Sequence, residues 1–117
     1  MSKATYVQRG ESLDYTNTTK KVIQAGDIVS LVSRIGVSGT DIAPDAVGAV
    51  HVMGVFKVEK TVETAISMGD PVYYDGIGIT TASNDGTESN PTTYIPAGYA
   101  AAPAEADSKY VNVKLLG

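Results

Sequence analysis

Ala49-Val50-His51-Val52-Met53-Gly54-Val55-Phe56-Lys57-Val58-Glu59-Lys60 decides the fold class. Val50, Val52, Gly54, Phe56 and Val58 fall on one side of an extended chain, and His51, Met53, Val55, Lys57 and Glu59 on the other. A sustained two-residue period marks a half-buried β-strand, not a helix. Gly54 in its middle predicts a bulge or a close backbone approach. Working outward, residues 28–37 (IVSLVSRIGV) read as a strand with Val29, Leu31, Ile35 and Val37 on its apolar face. Val72-Tyr73-Tyr74, the Asp75-Gly76 turn and residues 77–81 read as a hairpin. Residues 94–102 form a small-residue strand whose Pro96 suits an edge or a strand start. Residues 109–116 close the fold, with Val111, Val113 and Leu115 on one face. Residues 61–67 (TVETAIS) fit either a helical turn or a loop. Residues 82–93 (ASNDGTESNPTT) are turn chemistry throughout, which predicts a mobile tip or a contact loop.

The chain has 117 residues, a net charge of -4 and no cysteine. This length allows one domain, and a compact monomer of this size exposes roughly 6000 Å². Disulfides, zinc thiolates and thiol catalysis are excluded. The acidic balance gives the chain as a whole no footprint for nucleic acid or anionic lipid. Hydrophobic residues make up 43% but aromatics only 7%, so the apolar content is mostly small or β-branched and suits short strands. No apolar stretch is long enough for a membrane helix. The opening MSKATYVQRGESLDYTNTT has no apolar signal region, so synthesis and use in the cytoplasm are expected. On that expectation the Asn17-Thr18-Thr19 sequon is a chance match.

Residues 1–21 are polar, with Tyr6, Val7, Leu13 and Tyr15 as apolar anchors. They read as an extended N-terminal arm or an edge strand, and residues 22–117 as a single β domain. The expected fold is therefore all-β, a small barrel or sandwich. A faint echo accompanies it. Ala25-Gly26-Asp27-Ile28-Val29 returns as Met68-Gly69-Asp70-Pro71-Val72, and Ile35-Gly36-Val37 as Ile77-Gly78-Ile79. Either hairpins reuse their turn chemistry, or the fold is built from two related halves.

Catalytic chemistry finds little to stand on. A P-loop needs a Gly-Lys pair, and the chain has none. A Ser-His-Asp triad must use His51, the only histidine, and Gly36-Val37-Ser38-Gly39 lacks the spacing of a nucleophile elbow. The pairs Asp41 with Asp45 and Asp70 with Asp75 lie in turns, where Asp bonds its local backbone. Asn84-Asp85-Gly86 with Glu88 does not match a calcium loop. Tyr73 and Tyr74 point to opposite faces of a strand, so they make no stacking platform for bases; core on one side and interface on the other is the expected use. No catalytic, cofactor-binding or metal residue is assigned.

The run YVQRGESLDYTNTT, then IQAGDIVSL, MGDPVYYDGIGITT, IPAGYAAAPA and the terminal VNVKLL, resembles the phage capsid cement, or head decoration, family. Some members have carried a RecA/RadA-type recombinase label, which the missing P-loop does not support. The resemblance implies a small β subunit in the virion, commonly a homotrimer on the outer capsid surface that bridges neighbouring major capsid proteins. It implies no enzyme activity, no cofactor, and no direct contact with nucleic acid or membrane. Tyr6, Val7, Leu13, Tyr15, Tyr73 and Tyr74 are then the candidate contacts to capsid or to a neighbouring subunit. A carbohydrate- or surface-binding module read through residues 82–93 is the alternative, and a regulatory or enzyme-fragment β domain a third.

Overall fold

The computed structural model describes residues 3–89 and 91–115. Outside them lie the first two residues of the expected arm, Asn90 of the long loop, and Leu116 of the expected closing strand. The strands are β1 (Ser12–Thr16), β2 (Ile28–Ser30), β3 (Ile35–Ser38), β4 (Val47–His51), β5 (Val55–Glu59), β6 (Pro71–Tyr74), β7 (Ile79–Thr80), β8 (Ile95–Ala100) and β9 (Tyr110–Leu115). They form a four-stranded sheet of order β1-β4-β3-β2 and a five-stranded sheet of order β5-β9-β8-β6-β7, antiparallel throughout. The fold is all-β and sandwich-like. The barrel alternative is not realised: the first sheet keeps β1 and β2 as open edges, and the edges of the second are joined by an isolated bridge, Lys60 to Ile79, and not by a ladder among the described residues.

The stretch from residue 49 to residue 60 is not one strand. β4 belongs to the first sheet and β5 to the second, and the chain crosses between them at Gly54, whose φ is +115°. The expected faces survive the crossing. Val50, Val52 and Val58 are buried, while Met53, Val55, Lys57 and Glu59 are exposed. The chain stays extended enough to keep its parity, but hydrogen-bond partners leave no trace in a two-residue period.

Residues 28–37 are likewise two strands. The Leu31 amide donates to the Arg34 carbonyl at 2.8 Å, and Val32 sits in the turn at φ +74°. The reversal resets the faces, so Ile35 and Val37 enter one core and Val29 another. Every residue of β3 is buried. Pro96 sits next to a strand start, one of its two expected places, but not on an edge. It lies in β8, an interior strand, where the register against β6 shifts between Val72 and Tyr73 and leaves Ala97 unpaired. A bulge of this kind accommodates a residue that cannot donate to the ladder.

The echo is a duplication. Strand order β1-β4-β3-β2 matches β5-β9-β8-β6, with β7 added. Val29 pairs Gly36 as Val72 pairs Gly98, and Ser12 pairs His51 as Val55 pairs Lys114. The Gly-Asp turns repeat bond for bond. Gln24 donates its amide to Asp27 Oδ2 at 2.9 Å, and Ser67 to Asp70 Oδ2 at 2.9 Å. Gly26 donates to Ser38 O and Gly69 to Ala100 O, each at 2.8 Å. Ile23 bridges Ile42 as Ile66 bridges Ala104. The pairings correct the second part of the echo. Ile35-Gly36-Val37 corresponds to Ala97-Gly98-Tyr99, not to residues 77–79. Where the first half turns through Val32 and Ser33, the second inserts residues 75–94, with β7 and the long loop, between Tyr74 and its partner Ile95.

Each half has its own core. The smaller holds Val29, Ile42 and Val50, with Tyr15, Ile23, Leu31 and Ala46 packed on it. The larger holds Val58, Ile66, Val72, Ile79, Val111, Val113 and Leu115, and takes Ile35 and Val37 from the first half. Each such aliphatic side chain contributes about 1.5–3 kcal/mol on burial. β7 makes the difference: Ile79 is completely buried, and the first half has no counterpart to it.

Candidate interface

The structure distributes the six candidate contact residues instead of gathering them. Tyr6 and Val7 are 80% and 85% exposed, in a segment from Lys3 to Gly10 that forms no strand. Leu13 and Tyr15 lie on β1, at the open edge of the first sheet. Leu13 is exposed, and Tyr15 packs on the smaller core. Tyr73 and Tyr74 are both half-buried on β6, in the other sheet. Tyr74 packs on the larger core and donates its hydroxyl to the Gly76 carbonyl at 3.0 Å. Burial pushes its pKa up, and the negative charges of Asp75 and Asp27 push it the same way. Tyr74 is thus committed to the fold.

Sequence reading missed a second surface. Val55 opposes Lys114, Lys114 opposes Tyr99, and Tyr99 opposes Pro71, so these four make one row across β5, β9, β8 and β6. Val55 and Tyr99 are about half exposed. One row further, Lys57 holds its ammonium 4.9 Å from the centre of the Tyr110 ring. Outward positions on β5 and β9 were legible from alternation. Their meeting in a row required the pairing order. The duplicated row in the first half is Ser12-His51-Val37-Ile28, and there Val37 and Ile28 pack against the larger core. The face that docks in the first half is therefore unpartnered in the second. The chain exposes 7681 Å², roughly 1,700 Å² more than a compact monomer of its size.

The polar side chains serve the fold. Asn17 is completely buried. Its Nδ2 donates to the Lys21 and Ile42 carbonyls at 2.8 and 2.9 Å, and its Oδ1 accepts from the Thr19 amide. The sequon nitrogen is thus engaged in the folded chain. Lys60 occupies the matching position, with Nζ donating to the carbonyls of Thr64 and Glu105. His51 stacks 5.9 Å from the Phe56 ring and lies over Gly39. Asp41 accepts the Ala25 amide, and Asp75 accepts those of Ile77 and Gly78. Partial burial raises the Asp75 carboxyl, but the Thr61 hydroxyl and those amides outweigh it, and its pKa falls below the ordinary value. Residues 82–89 fold on local turns such as Asn84 Oδ1 to the Gly86 amide. Among the described residues no three His, Cys, Asp or Glu gather as a metal site, and no helix is long and apolar enough to cross a membrane. The cleft at the seam of the two halves, about 600 Å³, is lined by Asp27, Lys57, Glu59, Tyr74 and Tyr110. It is an open groove of turn and strand residues with no nucleophile set against a base.

What the geometry offers is surface, not reaction chemistry. No curated protein and no solved structure matches the chain. The model of the phage cement protein family matches residues 7–115, which takes in both halves of the duplication and the whole exposed row. The chain belongs to the phage cement protein family, and its role is the structural one of stabilising a capsid.

Proposed function

We propose that this cement protein binds the outer surface of the assembled phage head and bridges neighbouring major capsid proteins there, as a homotrimer carried on the virion. The observation that supports this most is the open row Val55-Lys114-Tyr99-Pro71, on a face whose counterpart in the first half is already a docking surface. The excess exposed area points the same way, because a standard interface takes about 800 Å² from each partner. Tyr6, Val7, Leu13, Tyr15 and Tyr73 supply contacts beyond the row.

The physics of cementing is mass action. A protein that binds only across a joint between capsid proteins stabilises the assembled lattice, since unassembled subunits do not present the composite site. A trimer engages several joints at once, so each contact can be weak and the whole still holds by effective concentration. Three-fold symmetry also lets one trimer occupy a three-fold position of the shell with identical contacts. The leading segment belongs to this picture as a contact element. Its boundary lies at Gly10, because removal of residues up to 19 would also take β1 and the buried Asn17.

Co-sedimentation tests the reading. Purified protein mixed with assembled heads of the cognate phage is expected to bind saturably, and to ignore unassembled capsid protein. Equal binding to both would contradict the composite site.

A further inference from the structure

The duplication exposes a vacancy. In the second half, β7 lies antiparallel to β6, with Tyr73 opposite Thr80 and Tyr74 opposite Ile79. It is also bridged in parallel to Lys60, which continues β5. Ile79 is thereby sealed into the larger core. The first half repeats every element around that strand but not the strand. β2 stands for β6, and Asn17, continuing β1, stands for Lys60. Between them lies a groove of about 510 Å³ lined by the apolar Tyr15, Val22, Ile23, Ile28 and Val29 together with the charged Lys20, Lys21 and Asp27. Its floor is less covered than its counterpart. Ile66 is 1% exposed, whereas its equivalent Ile23 is only partly buried. The open edge of β2 also has backbone groups to offer. Leu31 and Asp27 bond toward β3, so alternation turns the amide and carbonyl of Ile28 and Ser30 outward. Ser30 is the counterpart of Tyr73, whose outward groups meet Thr80 in β7.

We infer that this groove is a strand-acceptor site, and that its occupant is the Lys3–Arg9 segment of a second copy of the chain, with Val7 in the place that Ile79 fills in the second half. The occupant follows from polarity and reach. A strand here must run parallel to β1 and its continuation, as β7 does to Lys60. The chain's own leading segment, folded back at Gly10, would run antiparallel to β1. To enter in the correct direction it would have to return along the length of β1, about 16 Å, through Arg9–Glu11, which span about 10 Å fully extended. The segment therefore cannot serve its own groove. Thr5-Tyr6-Val7 has strand propensity, is almost fully exposed, and has no partner strand among the described residues. Donating to one neighbour while accepting from another is a head-to-tail contact, which closes into a ring at a suitable rotation. The inference concerns the free protein and stands whether or not the capsid reading does.

The absence of cysteine gives a clean test. Val7→Cys and Val22→Cys variants of the full chain are prepared separately, mixed without capsids and oxidised. Val7→Cys mixed with Val32→Cys is the control, since Val32 is exposed outside the groove. The expected result is a 7-to-22 heterodimer formed well in excess of the 7-to-32 product. Equal yields would overturn the inference. Light scattering provides the second readout. The unmodified chain is expected to be oligomeric, and Val7→Asp to weaken association by at least about tenfold, since a carboxylate in the place of the fully buried Ile79 would lose its water. Val7 is exposed in the single chain, so the variant is expected to keep its unfolding transition at dilution. A monomeric unmodified chain, or unchanged association of Val7→Asp, would contradict strand exchange. Cross-linking without shell binding would sink the capsid reading alone.

Discussion

The two halves of this molecule share one hydrogen-bond framework and differ in what fills it. Both carry the Gly-Asp turn, the same four-strand order and an equivalent isolated bridge, made by Ile23 in one and Ile66 in the other. The second half adds β7 and buries Ile79, and its core is the larger one. The first half has a thin core and two open edges, and leans on its neighbour through β3. Backbone geometry therefore sets the fold in both halves. Stability is concentrated in the second, and the first is left with surface to offer a partner.

Matched substitutions measure that difference. The largest effect is expected at the paired glycines. A Cβ on Gly98 would fall on the Lys114 carbonyl oxygen, and its φ is +140°. A Cβ on Gly36 would meet a Val50 methyl, which can rotate, and the His51 carbonyl oxygen at 3.0 Å. Gly98→Ala should cost about 4 kcal/mol or more and Gly36→Ala about 1–3 kcal/mol, read by denaturant titration. Equal costs would mean that the halves are equally rigid. Next come the bridging isoleucines. Ile66→Ala should lose about 3–4 kcal/mol and the half-covered Ile23→Ala about 1–2 kcal/mol at dilution. If the groove is filled by a neighbouring copy, the Ile23→Ala deficit grows with protein concentration and that of Ile66→Ala does not.

The matched side chains Asn17 and Lys60, each of which donates to two carbonyls, give a smaller contrast. Asn17→Ala removes the buried Nδ2 bonds to the Lys21 and Ile42 carbonyls and should cost about 2 kcal/mol, while the more exposed Lys60→Ala should cost under about 1 kcal/mol. Thermal melts of the two variants decide it, and a reversed order would break the equivalence of the two positions. The smallest effect is a pH dependence. The Asp75 carboxyl titrates lower in the folded chain than its ordinary 3.8. Its contribution is whole above that value and is lost as pH falls through the folded one. Asp75→Asn should therefore flatten the acid limb of the stability curve below pH 3.8, with little change at neutrality. The inserted turn alone should show this, since Ser33 and Val32 carry no such group in the first half.

Much of the architecture was legible before the structure. The two-residue period assigned the faces of residues 50–59 and 111–115, and Asp75-Gly76 marked its hairpin. What alternation cannot encode is a change of partner. The crossing at Gly54 keeps the buried and exposed faces in step, and the reversal at Val32 is a turn with no Gly, Pro, Asn or Asp to announce it, so each hid as one long strand. The duplication was visible at the Gly-Asp turns because their chemistry is local. It faded at residues 97–99, where only Gly98 retains the match to Gly36. The candidate interface was the least legible part. Exposure of Tyr6 and Val7 follows from a polar segment with nothing to pack on. The row through Val55, Lys114, Tyr99 and Pro71 is assembled from four strands whose order no single stretch announces.

The central claim is that this chain strengthens a shell by covering its joints with the open face of the second sheet. Calorimetry of assembled cognate heads, bare and saturated with the protein, tests that most directly. The account predicts a higher shell melting temperature on saturation, and loss of the gain with Tyr99→Asp, which sits on the open row. Heads that carry the protein at full occupancy yet melt where bare heads do would contradict it.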